Sequence, residues 1–210
     1  MESDDDKYLK LAEDPEQNAE VLEAMVRAAA NSRGYTVEAW HGTRKGWGFS
    51  VFEVGKGGVH FGSLAQAEAR GGRGNARKFF LKMEHTARIK DKGSLSKFPE
   101  GSDSVVYLNR FEGVSLESAR KYSGEQFDAM TDREFRTAVP EAEMSFAVKS
   151  AAQIKSAAII ELDSSGKVIP LTRRFSISTD FRGVTDEPAS LSKSGSHSKK
   201  RESGSLTYER

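Results

Sequence analysis

Val21, Leu22, Met25, Val26 and Ala29 recur at helical spacing, and Gly34 stands where such a helix would end. Ahead of them, Tyr8, Leu9 and Leu11 mark a shorter helix that stops before Pro15. At Tyr35 the period changes. In YTVEAWHG, Tyr35, Val37 and Ala39 fall on one side and Thr36, Glu38 and Trp40 on the other, the alternation of a half-buried strand. GGVHFGS is a short strand entered through glycines. SLAQAEARGG then predicts a helix with Ser63 as N-cap and Gly71 just beyond its end.

ARKFFLKMEHTARIKDKG is strand-like for most of its length, and SDSVVYLNRF predicts a buried strand centred on Val105, Val106 and Tyr107. The stretch from Glu112 to Glu143 is polar and helix-prone, including GEQFDAMTDREFRTAV up to Pro140. Strand character returns in MSFAVKSAAQIKSAAIIELDSSGKVIPL, where DSSGK between two apolar runs predicts a hairpin. From about Asp186 the chain is rich in Ser, Gly and Lys and reads as a disordered tail. The expected organisation is a helical segment over 1–34, a domain of strands and helices over 35–183, and a tail over 184–210.

Composition narrows the function classes. The 210 residues are 37% hydrophobic and 30% charged, enough for a core without staples. Lys+Arg number 32 against 31 Asp+Glu, which predicts no whole-molecule pull toward nucleic acid or membrane and leaves a local patch open. The absence of cysteine excludes a disulfide framework, thiolate metal sites and a cysteine nucleophile. No apolar stretch approaches the roughly 20 residues of a membrane span. The acidic start MESDDDKYLK lacks the layout of a signal peptide, so the expected location is the cytosol.

Individual candidates are ambiguous when taken alone. His41 ends an apolar run and reads as a hydrogen-bonded structural histidine before it reads as a ligand. His60 and Phe61 read as strand residues. The glycines of VGKGGVHFG lack the Gly-Lys-Ser/Thr of a P-loop and fit a hairpin loop. Glu112, Glu141 and Glu143 read as solvated carboxylates, and Lys199, Lys200 and Arg201 as a solvated run. His41 and His60 have no third ligand at a familiar spacing, so no metal site is expected.

The order of these motifs adds a resemblance. WHGT, then FSVFE, then GKGGVHFGS with the small-residue run AQAEAR, is similar to the start of the ADP-ribosyltransferase fold. DSVVYLNRFEG, FAVKSAAQIKS and DSSGKVIPLTRRFSISTDFR then resemble the later strands and C-terminal signature of one histidine-containing branch. That branch comprises the modules of polyvalent proteins carried by phages and other mobile elements. The likeness runs from about Asp4 to Arg182. It implies an α+β fold, a split sandwich of two small antiparallel sheets preceded by N-terminal helices, with the NAD cleft between the sheets.

The resemblance also implies a mono-ADP-ribosyltransferase that consumes NAD, releases nicotinamide and modifies a protein, RNA or DNA acceptor. A toxin or phage–host setting follows from it, with an antitoxin or other neutralising partner. By the same likeness His41 bonds a ribose hydroxyl, Gly42 clamps the nicotinamide amide through its backbone, and Thr43 supports the ribose. His60 stands where the family places an aromatic residue against nicotinamide, with Phe61 beside it and Ser63 lining the pocket. The family's catalytic glutamate falls on Ser145, which carries no charge. Glu112 could serve instead, converging with Asn109, if 104–109 and 145–149 pair antiparallel. Glu143 could serve from two residues earlier on the same strand face. Otherwise the fold has outlived the chemistry, leaving an NAD- or nucleotide-binding or phage structural module. Plain NAD hydrolysis, with water as acceptor, is a further alternative.

Overall fold

The structure is a computed structural model and describes residues 2–115, 117–118 and 129–184. Most of the expected tail and part of the polar insertion lie outside the described residues. Two helices open the chain, α1 (Asp4–Leu11) and α2 (Ala19–Ser32). Ser3 and Asp6 close a capping box on α1, whose first turn carries three aspartates against the helix dipole. The strands are β1 (Tyr35–Gly42), β2 (Val59–Phe61), β3 (Ala76–Lys82), β4 (Thr86–Arg88), β5 (Ser104–Leu108), β6 (Met144–Val148) and β7 (Ile154–Ser156). Helix α3 (Leu64–Gly71) lies between β2 and β3, α4 (Asp132–Ala138) between β5 and β6, and α5 (Leu171–Arg174) after β7.

The strands form two small sheets, ordered β1-β3-β7 and β2-β6-β5-β4. The sheets meet where Trp40 and Gly62 exchange backbone hydrogen bonds of 2.7 and 2.9 Å. One core joins them: Ala39, Phe79, Leu81 and Ile154 from the first pack with Phe61 and Val148 from the second. A second core lies against the first sheet, where Tyr8, Leu22 and Val26 meet Tyr35, Phe80, Leu171 and Phe175. The fold is therefore mixed α+β with two small sheets. Among the described residues, no helix is long and apolar enough to cross a membrane.

The sheets are mostly antiparallel, as expected, with one exception: β4 pairs parallel with β5, Thr86 opposite Ser104. The connection through residues 89–103 is long enough to bring the second strand back in the same direction. The hairpin predicted around DSSGK is present and short: Leu162 is bridged to Val168, the Asp163 N–H donates to the Lys167 carbonyl at 2.9 Å, and the Ile169 N–H donates to the Glu161 carbonyl at 2.8 Å. Arg174 fastens the main chain that leads into the hairpin. Its guanidinium, almost fully buried, donates to the carbonyls of Ser156, Ala158 and Ile159, taking acceptors that a neighbouring strand would use. Arg174 also donates to the Tyr8 hydroxyl at 2.9 Å, and Tyr8 donates onward to the Ile159 carbonyl at 2.8 Å. Thr172 bonds Asp5. The N-terminal helices are thus bolted to the chain's far end.

Candidate active site

Strand β1 ends in His41 and Gly42, and the packing of α3 dictates the second of these. A Cβ on Gly42 would overlap the Ala67 carbonyl oxygen, so only glycine lets α3 lie directly on the strand. A Cβ on Gly71 would likewise collide with main chain, 2.5 Å from the Thr43 nitrogen. Ser63 and Gln66 form the capping box that starts α3, and the helix runs one residue further than expected, to Gly71. The close approach brings Gln66 to Ser145 and Arg70 to Glu112.

His41 is half-buried, its ring set against Phe52, Phe61 and Trp47 at 5.0, 5.4 and 6.0 Å between centroids. Its Nδ1 lies 2.7 Å from the His60 carbonyl oxygen. A carbonyl only accepts, so Nδ1 carries the proton, and in the neutral ring Nε2 is left with a free lone pair. Burial pulls the imidazole below its ordinary 6.5, opposed in part by the bond to His60. His41 is neutral at pH 7 and can accept a hydrogen bond through Nε2.

His60 and Phe61 point to opposite faces of β2. Phe61 enters the core, whereas His60 shows one ring edge to solvent and bonds the Tyr107 hydroxyl through Nδ1 at 2.8 Å. The Tyr107 ring stands edge-on to the same imidazole, 6.2 Å between centroids. Burial lowers the His60 pKa, while the nearby Glu112 carboxylate pushes it back up.

The antiparallel pairing expected for 104–109 and 145–149 is present, with Tyr107 opposite Ser145. It is prolonged by the Asn109 N–H, which donates to the Glu143 carbonyl at 2.9 Å. Asn109 Nδ2 donates to Ser145 Oγ at 3.0 Å, and Ser145 Oγ donates to Gln66 Oε1 at 2.9 Å. All three side chains are buried. Asn109 Oδ1 also accepts the N–H groups of Phe111 and Glu112, at 3.0 and 2.8 Å. This Asx turn swings the Glu112 carboxylate back toward Asn109 Nδ2, at 3.5 Å. Arg70 Nη1 holds the other carboxylate oxygen at 3.1 Å.

His41, His60, Asn109, Ser145 and Glu112 therefore converge. Tyr107, Gln66 and Arg70 join them without having been singled out from sequence. Two of them carried a signal: Tyr107 lies two residues before Asn109 on the same strand face, and Gln66 completes the S-x-x-Q capping box, whereas Arg70 is placed by the packing of α3 alone. Ser63 spends its hydroxyl on the Gln66 N–H, and the Thr43 hydroxyl accepts from the Lys45 N–H at 3.2 Å. What Glu143 brings to the cluster is its main-chain carbonyl, which also accepts from Gln66 Nε2 at 3.0 Å.

A neutral imidazole acceptor, an amide, a carboxylate and a guanidinium on one surface suit a ligand that is both polyhydroxylated and phosphorylated. A groove of about 670 Å³ is lined by Trp47, Phe49, Arg77 and Phe181 among others, and meets His41 through Trp47 and through Arg77, its partner in the strand register. Carboxylates and a histidine also gather at the surface in Glu84, His85 and Asp103, whose ligand-type atoms lie within 4.8 Å of one another. Asp103 there accepts the N–H groups of both its neighbours, and the group stands apart from His41. No family model, curated protein or solved structure matches the chain.

Proposed function

We propose that the chain is a mono-ADP-ribosyltransferase of the split-sandwich type, with NAD as substrate and a macromolecule as acceptor. The observation that carries this reading is the bridge from Ser145 through Asn109 to Glu112. It sets a carboxylate beside the strand position where the resembled family has one and this chain has serine.

NAD brings a cationic nicotinamide on the ribose C1′, so its departure needs no strong general acid. His41 Nε2 accepts a bond from a ribose hydroxyl. Gly42, kept bare by α3, allows its backbone to approach the nicotinamide amide, and His60 stacks beside it. Glu112, once parted from Arg70, bonds the ribose 2′-hydroxyl and stabilises positive charge at C1′. The bond from C1′ to the nicotinamide nitrogen breaks, and its electron pair leaves with neutral nicotinamide. The acceptor's lone pair forms the new bond to C1′, and the acceptor's proton passes to the Glu112 carboxylate. Such an enzyme suits a toxin in phage–host conflict, acting in the cytosol of the host and restrained by an antitoxin.

One observation favours the alternative of a non-enzymatic nucleotide-binding module: Ser145 is buried and already committed to both Asn109 and Gln66. Nicotinamide release from NAD in a bacterial lysate, followed in the native chain, His41→Ala and Glu112→Ala, separates the two. Loss in both variants, with ADP-ribose appearing in a macromolecular fraction, is the expected result. Free ADP-ribose alone would indicate hydrolysis. NAD binding with no release in the native chain would sink the enzyme.

A further inference from the structure

The near-neutral chain concentrates positive charge at the edge of the candidate site. Thr43 N–H donates to the Asn75 carbonyl at 3.3 Å, and Arg44 Nε donates to the Arg70 carbonyl at 3.2 Å. These bonds lay the loop after β1 on the turn after α3. Arg77 stands opposite His41 in the strand register and lies over the Trp47 ring, 4.7 Å from its centroid. Arg44, Lys45, Arg70, Arg73 and Arg77 are all exposed there. Glu68 and Glu112 lie among them: Glu68 accepts the Gly74 N–H and keeps its charge, and Glu112 is paired with Arg70. Among the described residues, Arg44, Lys45, Arg73 and Arg77 make no ion pair.

We propose that this surface docks the phosphate backbone of a single-stranded nucleic acid, which makes nucleic acid the acceptor. The choice of acceptor rests on the transferase reading; the binding does not. Four of the five cations are arginines, whose planar fork matches phosphate oxygens in pairs. A dinucleotide carries only two phosphates, fewer than the cations gathered here, whereas a strand offers one per nucleotide. The cations flank Glu112 and His41, so a strand lying across them carries an unpaired base to the reacting centre. A base can be modified there only when it is out of the helical stack, which selects a single strand.

The test is fluorescence anisotropy of the full chain with a labelled mixed-sequence single-stranded oligonucleotide, without NAD. Five phosphate contacts at about −0.7 each in the log–log salt slope predict roughly a hundredfold weaker binding between about 50 and about 200 mM salt. The double variant Lys45→Glu/Arg73→Glu, whose side chains lie outside the reacting cluster, is expected to bind at least about tenfold more weakly. Its salt slope should flatten by about 1.4. Its NAD affinity, measured by calorimetry, is expected to stay unchanged. Undiminished oligonucleotide binding in the variant would overturn the proposal. So would a loss of NAD affinity instead, or ADP-ribose found on protein with no oligonucleotide bound. Binding with the expected salt slope but no nicotinamide release would support the surface and remove the transferase reading alone.

Discussion

The Arg70 guanidinium lies 3.1 Å from the Glu112 carboxylate, so the candidate catalytic carboxylate is held by a cation from the helix that packs on His41 and Gly42. The pair is open to water, with side-chain exposures of 74% for Arg70 and 35% for Glu112. Exposed pairs of this kind contribute about 0–1 kcal/mol, and salt screens them. Arg70→Ala and Glu112→Gln should each therefore move the unfolding free energy by less than about 1 kcal/mol in urea denaturation. Nicotinamide release should nonetheless fall about 100-fold or more in Glu112→Gln, since the amide cannot take a proton or balance positive charge. A Glu112→Gln protein that keeps native turnover would remove Glu112 from the chemistry.

Gly42 is explained by packing before any ligand is considered. A side chain there meets main chain of α3, which has no flexible end to give way. Gly42→Ala should thus destabilise the fold by about 1–3 kcal/mol or more, as overpacked cores do. Gly48 is the matched control, with open space where its Cβ would go. Gly48→Ala should be close to neutral. Thermal unfolding of both variants checks this, and equal midpoints would mean that α3 does not rest on β1 as described.

The Tyr8 hydroxyl accepts from Arg174 and donates to the Ile159 carbonyl, tying α1 to α5. Tyr8→Phe leaves the buried guanidinium one partner short, at a cost of about 1–3 kcal/mol. The loss should appear as a shift of one cooperative urea transition, because α1 and α2 share a core with Tyr35, Phe80 and Phe175. A separate early transition, with the sheets intact, would show instead that the first 34 residues fold as a unit of their own.

Much of the site was legible in sequence because it depends on short-range rules. Alternation in β5 and β6 fixes which side chains share a face, and Asn109 three residues before Glu112 is an Asx-turn signal. Arg70 was not legible, since its place depends on how closely α3 approaches a bare glycine far away in sequence. The parallel β4–β5 pair escaped for a similar reason: β4 is three residues long, and its partner is chosen by the loop that follows. In the stretch directly after β7, apolar residues suggested a strand, but a single arginine bonds the backbone acceptors. Pattern registers burial there and says nothing of which group satisfies the main chain.

Lys155 supplies a pH-dependent test of how the C-terminal segment is fastened. Its ammonium group is buried and donates to the Ser178 and Asp180 carbonyls at 3.2 and 3.0 Å. Burial lowers its pKa from 10.5 to about 8, only partly opposed by Asp180. Because the folded value lies below the unfolded one, the unfolded chain binds more protons from about pH 8 up to about 10.5. Stability contributed by this residue therefore rises with pH across that window, by an amount on the order of 3 kcal/mol if the shift is fully expressed. The buried tyrosines Tyr8, Tyr35 and Tyr107 act in the opposite direction, since their pKa values are raised, but only once the unfolded chain loses phenolic protons near pH 10. Between about pH 7.5 and 9.5 the lysine should dominate the comparison with Lys155→Met, which has no titrating group at that position. The native chain should gain stability relative to the variant as pH rises, measured by urea denaturation at both ends of the range. A constant difference would mean that Lys155 is solvated, and that residues 176–181 are not closed over it.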